Sequence, residues 1–379
     1  MTNKTIRNRL YLSELNRIHC VVRTTLSPWF PKENLTNIYF FLHGCIRIHP
    51  WQRGTNSVRD SVLIYGSGVM GCAIGCCAAL ANNKVILFHR CHEKHSEILQ
   101  RVTENLKELV DLSLYTNEHI EKAKKLISIT DNIEMACEKA KVVIEAVYEN
   151  LELKQDVFKY LDERLPVTVP ILSNTSGLRI TDISSKAKHP ERALTAHFWL
   201  PATLIPLVEI VIGENSSASL AEDVKKMLIS WGKAPVIIKK DLPGQLANRI
   251  LQAVIREAVN IVEIGLATPE DVDTAIKMGM ALRFPVWGPL EHVDAAGVDL
   301  CRSVQNTVLP EISSRTDASP LFEKLLREGH KGYKTGRGFY DWSKKDMKSL
   351  IKKRNEFIVH ALKKLKDKRG GSNEKIRYT

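Results

Sequence analysis

The run from Ser61 to Phe88 constrains this chain more than any other stretch. Ser61 to Tyr65 reads SVLIY, a short β-branched apolar run closed by glycine, the pattern of a strand buried on both faces of a parallel sheet. Gly66-Ser67-Gly68-Val69-Met70-Gly71 follows at once. Small and apolar residues then continue at helical spacing to Ala81, and Asn82-Asn83 can take the left-handed geometry that a helix end needs. Lys84 to Phe88, KVILF, reads as a second buried strand. A glycine hexad alone is weak evidence, but strand, hexad, helix and strand within about 30 residues predict a dinucleotide site. Gly66 would allow the tight turn, Gly68 would let backbone approach a pyrophosphate, and Gly71 would let the helix lie against the strand. The amides that follow, Val69 and Met70 among them, would hold the phosphates with the helix dipole.

The acidic residue that usually accepts the ribose hydroxyls at the end of the second strand is missing. His89 and Arg90 stand there instead. A cation pair could receive a 2′-phosphate, so NAD and NADP both remain open as the cofactor. From Glu93 to Ala123 the pattern is helical, and apolar runs resume at Val142 to Val147 and at Ile171-Leu172. Strands alternating with helices predict an α/β fold, a Rossmann-type doubly wound parallel sheet. Ligands of such sheets bind beyond the carboxyl ends of the strands. Glu149, Asn150 and Lys154 follow one such end and Ser173-Asn174-Thr175-Ser176 another, which turns both segments toward the cofactor crevice. After Asp241 the chain becomes helical: Gln245 to Leu266 has apolar residues at helical spacing, Thr268-Pro269-Glu270-Asp271 starts another helix, and no strand signal returns.

With 379 residues, more than one domain is expected. The division is an N-terminal extension over 1–60, a dinucleotide-binding domain over 61–241, an all-helical C-terminal domain over 242–343 and a basic tail over 344–379. The formal charge of +12 sits at the ends. Residues 1–60 carry nine Lys and Arg against three acids, residues 344–379 carry thirteen against four, and the remainder is net −3. A nucleic-acid partner is therefore not expected, and the basic end reads as a solvated appendage. Lys4, Arg7, Arg9 and Arg17 with only Glu14 opposing weakly suggest an organelle presequence; a poorly ordered leader in a cytoplasmic protein is the plainer reading. No run approaches the ~18 apolar residues of a spanning helix, so no membrane partner is expected. The eight cysteines show no CxxC spacing, which argues for a reducing compartment and against disulfides and structural zinc; no metal site is expected.

From Ser61 to Trp342 the chain resembles the 3-hydroxyacyl-CoA dehydrogenase family, and most of all its short, single-function members acting on 3-hydroxybutyryl-CoA. The landmarks come in family order: GSGVMG from Gly66, EAVYENLELK from Glu145 to Lys154, SNTSGL from Ser173, HFWLP from His197, PLVE ending at Glu209, DLPGQLANR from Asp241 to Arg249, and KTGRGFYDW from Lys334 to Trp342. The resemblance implies an oxidoreductase of fatty-acid β-oxidation type that interconverts L-3-hydroxyacyl-CoA and 3-ketoacyl-CoA with NAD(P), working as a homodimer through its helical domain.

What the resemblance implies for single residues agrees with what their chemistry allows. His197 matches the family's catalytic histidine, and an imidazole titrates near operating pH as a base for a hydroxyl proton must. Glu209 matches the carboxylate that pairs with it. Ser176 and Asn248 match polar residues that hold the oxygen at C3, and Glu149 and Lys154 match a pair beside the nicotinamide. Read alone, each is ordinary: a core histidine, a helix N-cap, a helix-surface amide, a solvated charge pattern. Leu200 replaces the usual Asn, and Gln245 replaces an aromatic residue at the domain junction. The hairpin stretch Glu104 to Leu112 offers Lys107 and little else for CoA phosphates, which leaves room for a free 3-hydroxy acid such as carnitine or gulonate as substrate. A catalytically silent dinucleotide-binding protein is the remaining alternative, against which the retention of Ser176, His197, Glu209 and Asn248 argues.

Overall fold

The computed structural model describes residues 59–367; the extension expected over 1–60, except its last two residues, and the final part of the basic tail lie outside the described residues. Strand β1 (Arg59–Tyr65), helix α1 (Val69–Leu80) and strand β2 (Asn83–Phe88) follow the expected order. Asn82 takes φ +63°, and the Asn83 side chain donates from Nδ2 to the Ala78 carbonyl at 2.9 Å, tying down the end of α1. The glycines are sterically required. Gly66 has φ +111°, and a Cβ at Gly71 would stand 1.9 Å from the Gly66 carbonyl oxygen.

The elements that follow are α2 (His95–Asp111), α3 (Asn117–Leu126), β3 (Ile127–Thr130), α4 (Ile133–Lys139), β4 (Val142–Glu145), α5 (Leu151–Asp162), β5 (Ile171–Ser173), α6 (Ile180–Ile183), β6 (Ala193–Phe198), β7 (Leu207–Ile212), α7 (Ala218–Ser230) and β8 (Ala234–Ile238). They build an eight-stranded sheet in the order β3-β2-β1-β4-β5-β6-β7-β8. All neighbours pair in parallel except β6 and β7, which are antiparallel. Alternate residues of β1 serve two cores: Val62 and Ile64 join one cluster and Leu63 the other, as period-two side chains of a doubly covered sheet must. Each such fully buried side chain contributes roughly 1.5–3 kcal/mol. Between β1 and β4 the strand order reverses, which opens a crevice above their carboxyl ends.

The remainder is helical: α8 (Ala247–Glu263), α9 (Pro269–Ala275), α10 (Pro289–Ala296), α11 (Val298–Val308), α12 (Pro320–Arg327) and α13 (Met347–Asp367). Thr268 caps α9 by accepting from the Asp271 amide, as its position before Pro269 predicts. Along α8 Val259 is buried, Val254, Ile255, Ile261 and Val262 are partly buried, and Ile250 and Leu251 are exposed. One expectation is corrected. The Lys-rich residues 344–379 are not simply a solvated appendage, because Asn355 and Val359 of α13 are buried: the Asn355 amide donates to Glu108 of α2, and Val359 packs with Leu109, Leu114 and Leu204. Two residues four apart put one narrow stripe of an otherwise charged helix against the body.

Candidate active site

The glycine turn lies at the mouth of the crevice. A Cβ on Gly68 would meet nothing within 4 Å, so that glycine borders open space instead of packing against protein. The first turn of α1 holds no acidic residue, and Gly68 precedes it without a side-chain cap; its leading amides, including Val69 and Met70, are left for a ligand. These residues fit a dinucleotide pyrophosphate. Arg101 of α2, which sequence reasoning passed over, donates from Nη1 to the Ser67 carbonyl at 3.1 Å and brings a guanidinium beside the same turn. At the end of β2 the His89 amide donates to the Thr130 carbonyl at 3.0 Å, its Nδ1 lies 3.1 Å from the Cys91 amide, and Arg90 is exposed.

The second layer of the site is a polar network under β4 and β5. Glu149 accepts at Oε1 from the Thr175 hydroxyl at 2.6 Å and from the amides of Ser176 and Gly177 at 2.9 and 3.0 Å. Burial would raise its pKa, but the hydroxyl, the Lys154 ammonium and the two amides outweigh burial and hold it below the ordinary carboxylate value. Lys154 does not belong to a solvated charge pattern. It is fully buried, with Nζ 2.7 Å from Glu145 Oε1 and 3.5 Å from Glu149 Oε2, and Ser173 donates to the other Glu145 oxygen at 2.6 Å. Glu145 is thus a member of the site that the motif reading used only as a landmark. Its signal was available: an acid inside the apolar run VVIEAV needs a partner when buried. Asn174 accepts from the Phe198 amide at 2.8 Å and ties β5 to β6.

The third layer is a carboxylate–imidazole pair. In the antiparallel ladder His197 stands directly opposite Glu209, and their Nδ1 and Oε2 are 2.8 Å apart. Both are buried; Glu209 is 0% exposed. Its Oε1 accepts from the Leu246 and Ala247 amides at 2.9 and 2.8 Å, and its Oε2 also accepts from Trp199 Nε1 at 2.8 Å. Burial again pushes the carboxyl up, and the four donors reverse this, bringing its pKa down to about 2. An ionised Glu209 can only accept, so Nδ1 carries the imidazole proton and Nε2 has a free lone pair. Nε2 has no hydrogen-bond partner among the described residues. Asn248, one residue beyond the amides that hold Glu209, donates from its side chain to the Ser176 carbonyl at 3.4 Å, while Ser176 itself is exposed. Hydrogen bonds therefore link Glu149, Ser176 and Asn248 on one side and Ala247, Glu209 and His197 on the other, and the Ala247–Asn248 peptide joins the two sets.

The NAD binding domain of 3-hydroxyacyl-CoA dehydrogenase matches residues 61–242, and the C-terminal domain of the same enzymes matches residues 244–342. The chain belongs to the 3-hydroxyacyl-CoA dehydrogenase family. It is an NAD-binding oxidoreductase of the class acting on CH–OH groups. A probable 3-hydroxybutyryl-CoA dehydrogenase of Bacillus subtilis is 34% identical over 285 residues, which are 75% of this chain and 98% of that one. The 5-formyl-3-hydroxy-2-methylpyridine 4-carboxylate 5-dehydrogenase of Mesorhizobium japonicum is 34% identical over 233 residues, 62% of this chain and 75% of that one. A crystal structure of a dehydrogenase acting on that same pyridine compound superposes with a TM-score of 0.74 at 28% identity, covering 81% of this chain and 98% of the other.

Within the family frame two departures acquire a location. Leu200 is exposed at the end of β6, and Gln245 is buried at the domain junction with φ +49°, its amide reaching the Thr175 carbonyl at 3.4 Å. Outside the crevice, His92, His95 and Asp131 bring possible ligand atoms within 4.8 Å of one another. His92 Nδ1 lies 3.3 Å from Asp131 Oδ2 with side chains 76% and 45% exposed, so the group reads as a surface polar contact. No helix among the described residues is long and apolar enough to cross a membrane.

Proposed function

We propose that this protein interconverts L-3-hydroxyacyl-CoA and 3-ketoacyl-CoA, with His197 as the acid–base group and NAD as the hydride carrier. NAD supplies the acceptor for the hydride on C3 of the alcohol. Nε2 of His197 takes the hydroxyl proton, and Glu209 holds the ring in the required tautomer while stabilising the imidazolium that forms. Ser176 and Asn248 hold the C3 oxygen between them and the imidazole. Gly66, Gly68, Val69, Met70 and Gly71 cradle the pyrophosphate, His89 and Arg90 face the adenosine ribose, and Asn174 and Glu149 line the nicotinamide side. Lys154, buried behind Glu149, acts by holding that carboxylate. In this reading residues 61–241 form the cofactor domain and 242–343 the substrate domain, and the exposed apolar residues of α8 pack on a second copy of the chain.

The observation that carries the reading is the buried carboxylate–imidazole pair, whose Nε2 has no partner among the described residues. Purified protein is mixed with acetoacetyl-CoA and NADH or NADPH, and loss of reduced-cofactor absorbance is followed. Turnover that disappears in His197→Gln supports the reading, and full activity in that variant removes it. A second reading keeps the chemistry but changes the substrate to a small hydroxy acid or alcohol without CoA. It is favoured by the likeness to an enzyme named for a substituted pyridine carboxylate and by the stretch Glu104 to Leu112 of α2, whose one cation, Lys107, is paired with Asp111. Turnover with such compounds and none with acetoacetyl-CoA would select it.

A further inference from the structure

We infer that Trp199 is a positioning residue of the reaction, acting through Glu209 on the charge and direction of His197. The inference rests on the reading of His197 as the acid–base group. Along β6 the pleat sends Phe198 into the core, where it is 2% exposed, and turns His197 and, one step past the strand, Trp199 the other way. The two rings face each other at 5.7 Å between centroids, inclined by 54°. Both rings then donate to one atom: His197 Nδ1 and Trp199 Nε1 each lie 2.8 Å from Glu209 Oε2, while the Leu246 and Ala247 amides occupy Oε1.

Two donors on one oxygen compete for the same electron density. The indole N–H is neutral and permanent, whereas the imidazole becomes a stronger donor when protonated. By taking part of the Oε2 charge at all times, Trp199 reduces the extra stabilisation that Glu209 gives to the imidazolium over the neutral ring. It also pins the carboxylate plane at a fourth point, so the imidazole cannot turn with it. Other charged groups on the elements packed around the pair are engaged elsewhere. Glu145, Glu149 and Lys154 bind one another; Asp241 accepts from Thr181; Arg179 binds Glu214 and the Asp241 carbonyl, and pairs with Asp182 of α6; Lys233 donates to the Ala202 and Ile205 carbonyls; Arg249 donates to Pro243. On α7, Glu222, Asp223, Lys225 and Lys226 pair among themselves at the surface, and on α8 Arg256 donates to the Arg315 carbonyl and Glu257 accepts from the Ser313 amide. None of these groups hydrogen-bonds or pairs with Trp199, His197 or Glu209.

The test is the pH profile of kcat/KM for alcohol oxidation by Trp199→Phe and by a variant carrying 3-benzothienylalanine at position 199, which keeps the fused ring and lacks the N–H. Both are expected to move the acidic limb upward by about 0.5–1 pH unit and to lower kcat at neutral pH by about fivefold, with the NADH Kd unchanged. Circular dichroism and the NADH Kd show that each variant is folded. An unmoved limb in both variants, or a shift in Trp199→Phe that the benzothienyl variant does not share, overturns the inference, since the N–H would then be irrelevant. Full activity of His197→Gln is a separate outcome, and it overturns the underlying reading together with this one.

Discussion

Strand β6 carries a buried carboxylate and its nitrogen partner at each end, and the two pairs are built differently. Before its first residue Arg192 meets Asp162 of α5, both side chains nearly inaccessible. The guanidinium donates to Asp162 Oδ1 at 3.0 and 2.6 Å and to the carbonyls of Asp162, Leu165, Pro166 and Val169, while Oδ2 accepts from the Lys188 and His189 amides at 2.6 and 3.2 Å. All three guanidinium nitrogens and both carboxylate oxygens are engaged. Near its last residue His197 meets Glu209, whose four donors also saturate it, yet Nε2 has no partner among the described residues. The amino end of a parallel strand is closed on itself and the carboxyl end is left reactive, which is where sheets of this kind bind ligands. A buried charge is therefore a pointer to chemistry only when its network has a vacancy.

Single substitutions should separate the two pairs completely. Arg192→Met leaves Asp162 buried without its countercharge and is expected to cost about 3–5 kcal/mol in urea unfolding, with turnover per folded molecule within about twofold of the parent. His197→Gln is expected to lower kcat/KM by about a thousandfold while leaving the urea midpoint nearly unchanged. Should Arg192→Met lose activity without losing stability, the contrast drawn between the two ends fails.

The second break in the comparison is acid. Glu209 titrates near 2 in the folded protein against an ordinary value of 4.5. A depressed folded pKa contributes stability that is present above the unfolded value and lost as pH falls through the folded one. The window is pH 4.5 down to about 2, and the loss is on the order of 3 kcal/mol. Glu209→Gln should flatten that part of a plot of unfolding free energy against pH. Asp162, where burial is outweighed by the Arg192 guanidinium and the Lys188 and His189 amides, has its pKa shifted in the same direction. Part of the acid slope will therefore survive in Glu209→Gln and disappear only when both are changed.

How far these features could be read from sequence depends on whether the information is local. The first strand, glycine turn, helix and second strand were legible because turn sterics and apolar periodicity act within a few residues, and so was the Thr268 cap. Strands β3, β6, β7 and β8 were not read as such: ALTAHF and LVEIVI become strands by pairing with each other and with distant neighbours. Resemblance located His197, Glu209, Ser176 and Asn248, but their hydrogen bonds required the fold. Lys154 looked solvated because its partner Glu145 lies nine residues away, on a strand. Trp199 could not be foreseen, since the direction of an indole N–H follows from tertiary packing. In α13 the lysines hid Asn355 and Val359, whose burial depends on α2 and on the loop at Leu204.

Glu149 lies between the extremes of the closed and the open pair, for it is held by Thr175, two amides and Lys154 while its side chain remains 43% exposed. Glu149→Gln keeps the shape and removes the charge that Lys154 faces. It is expected to raise the KM for NADH by about tenfold with a smaller change in kcat, read from initial rates at saturating ketone. An equal fall in kcat and kcat/KM would instead put Glu149 in the chemical step.

The smallest effect is expected at the end of β2. His89 occupies the position from which a carboxylate usually accepts the ribose hydroxyls, and Arg90 beside it is exposed. The backbone there is already fixed, because the His89 amide is bonded to Thr130. Substituting His89 by Asp therefore changes the side chain without moving the strand end. A carboxylate accepts from a ribose hydroxyl and repels a 2′-phosphate, so the Kd for NADH should fall about threefold while that for NADPH rises by a similar factor, measured by fluorescence quenching at fixed ionic strength. Arg90→Ala should weaken NADPH alone, since a neutral ribose offers the guanidinium no charge to meet. If both dinucleotides respond equally to His89→Asp, the residue acts through the Cys91 loop, to whose amide its Nδ1 is bonded, and not through the ribose.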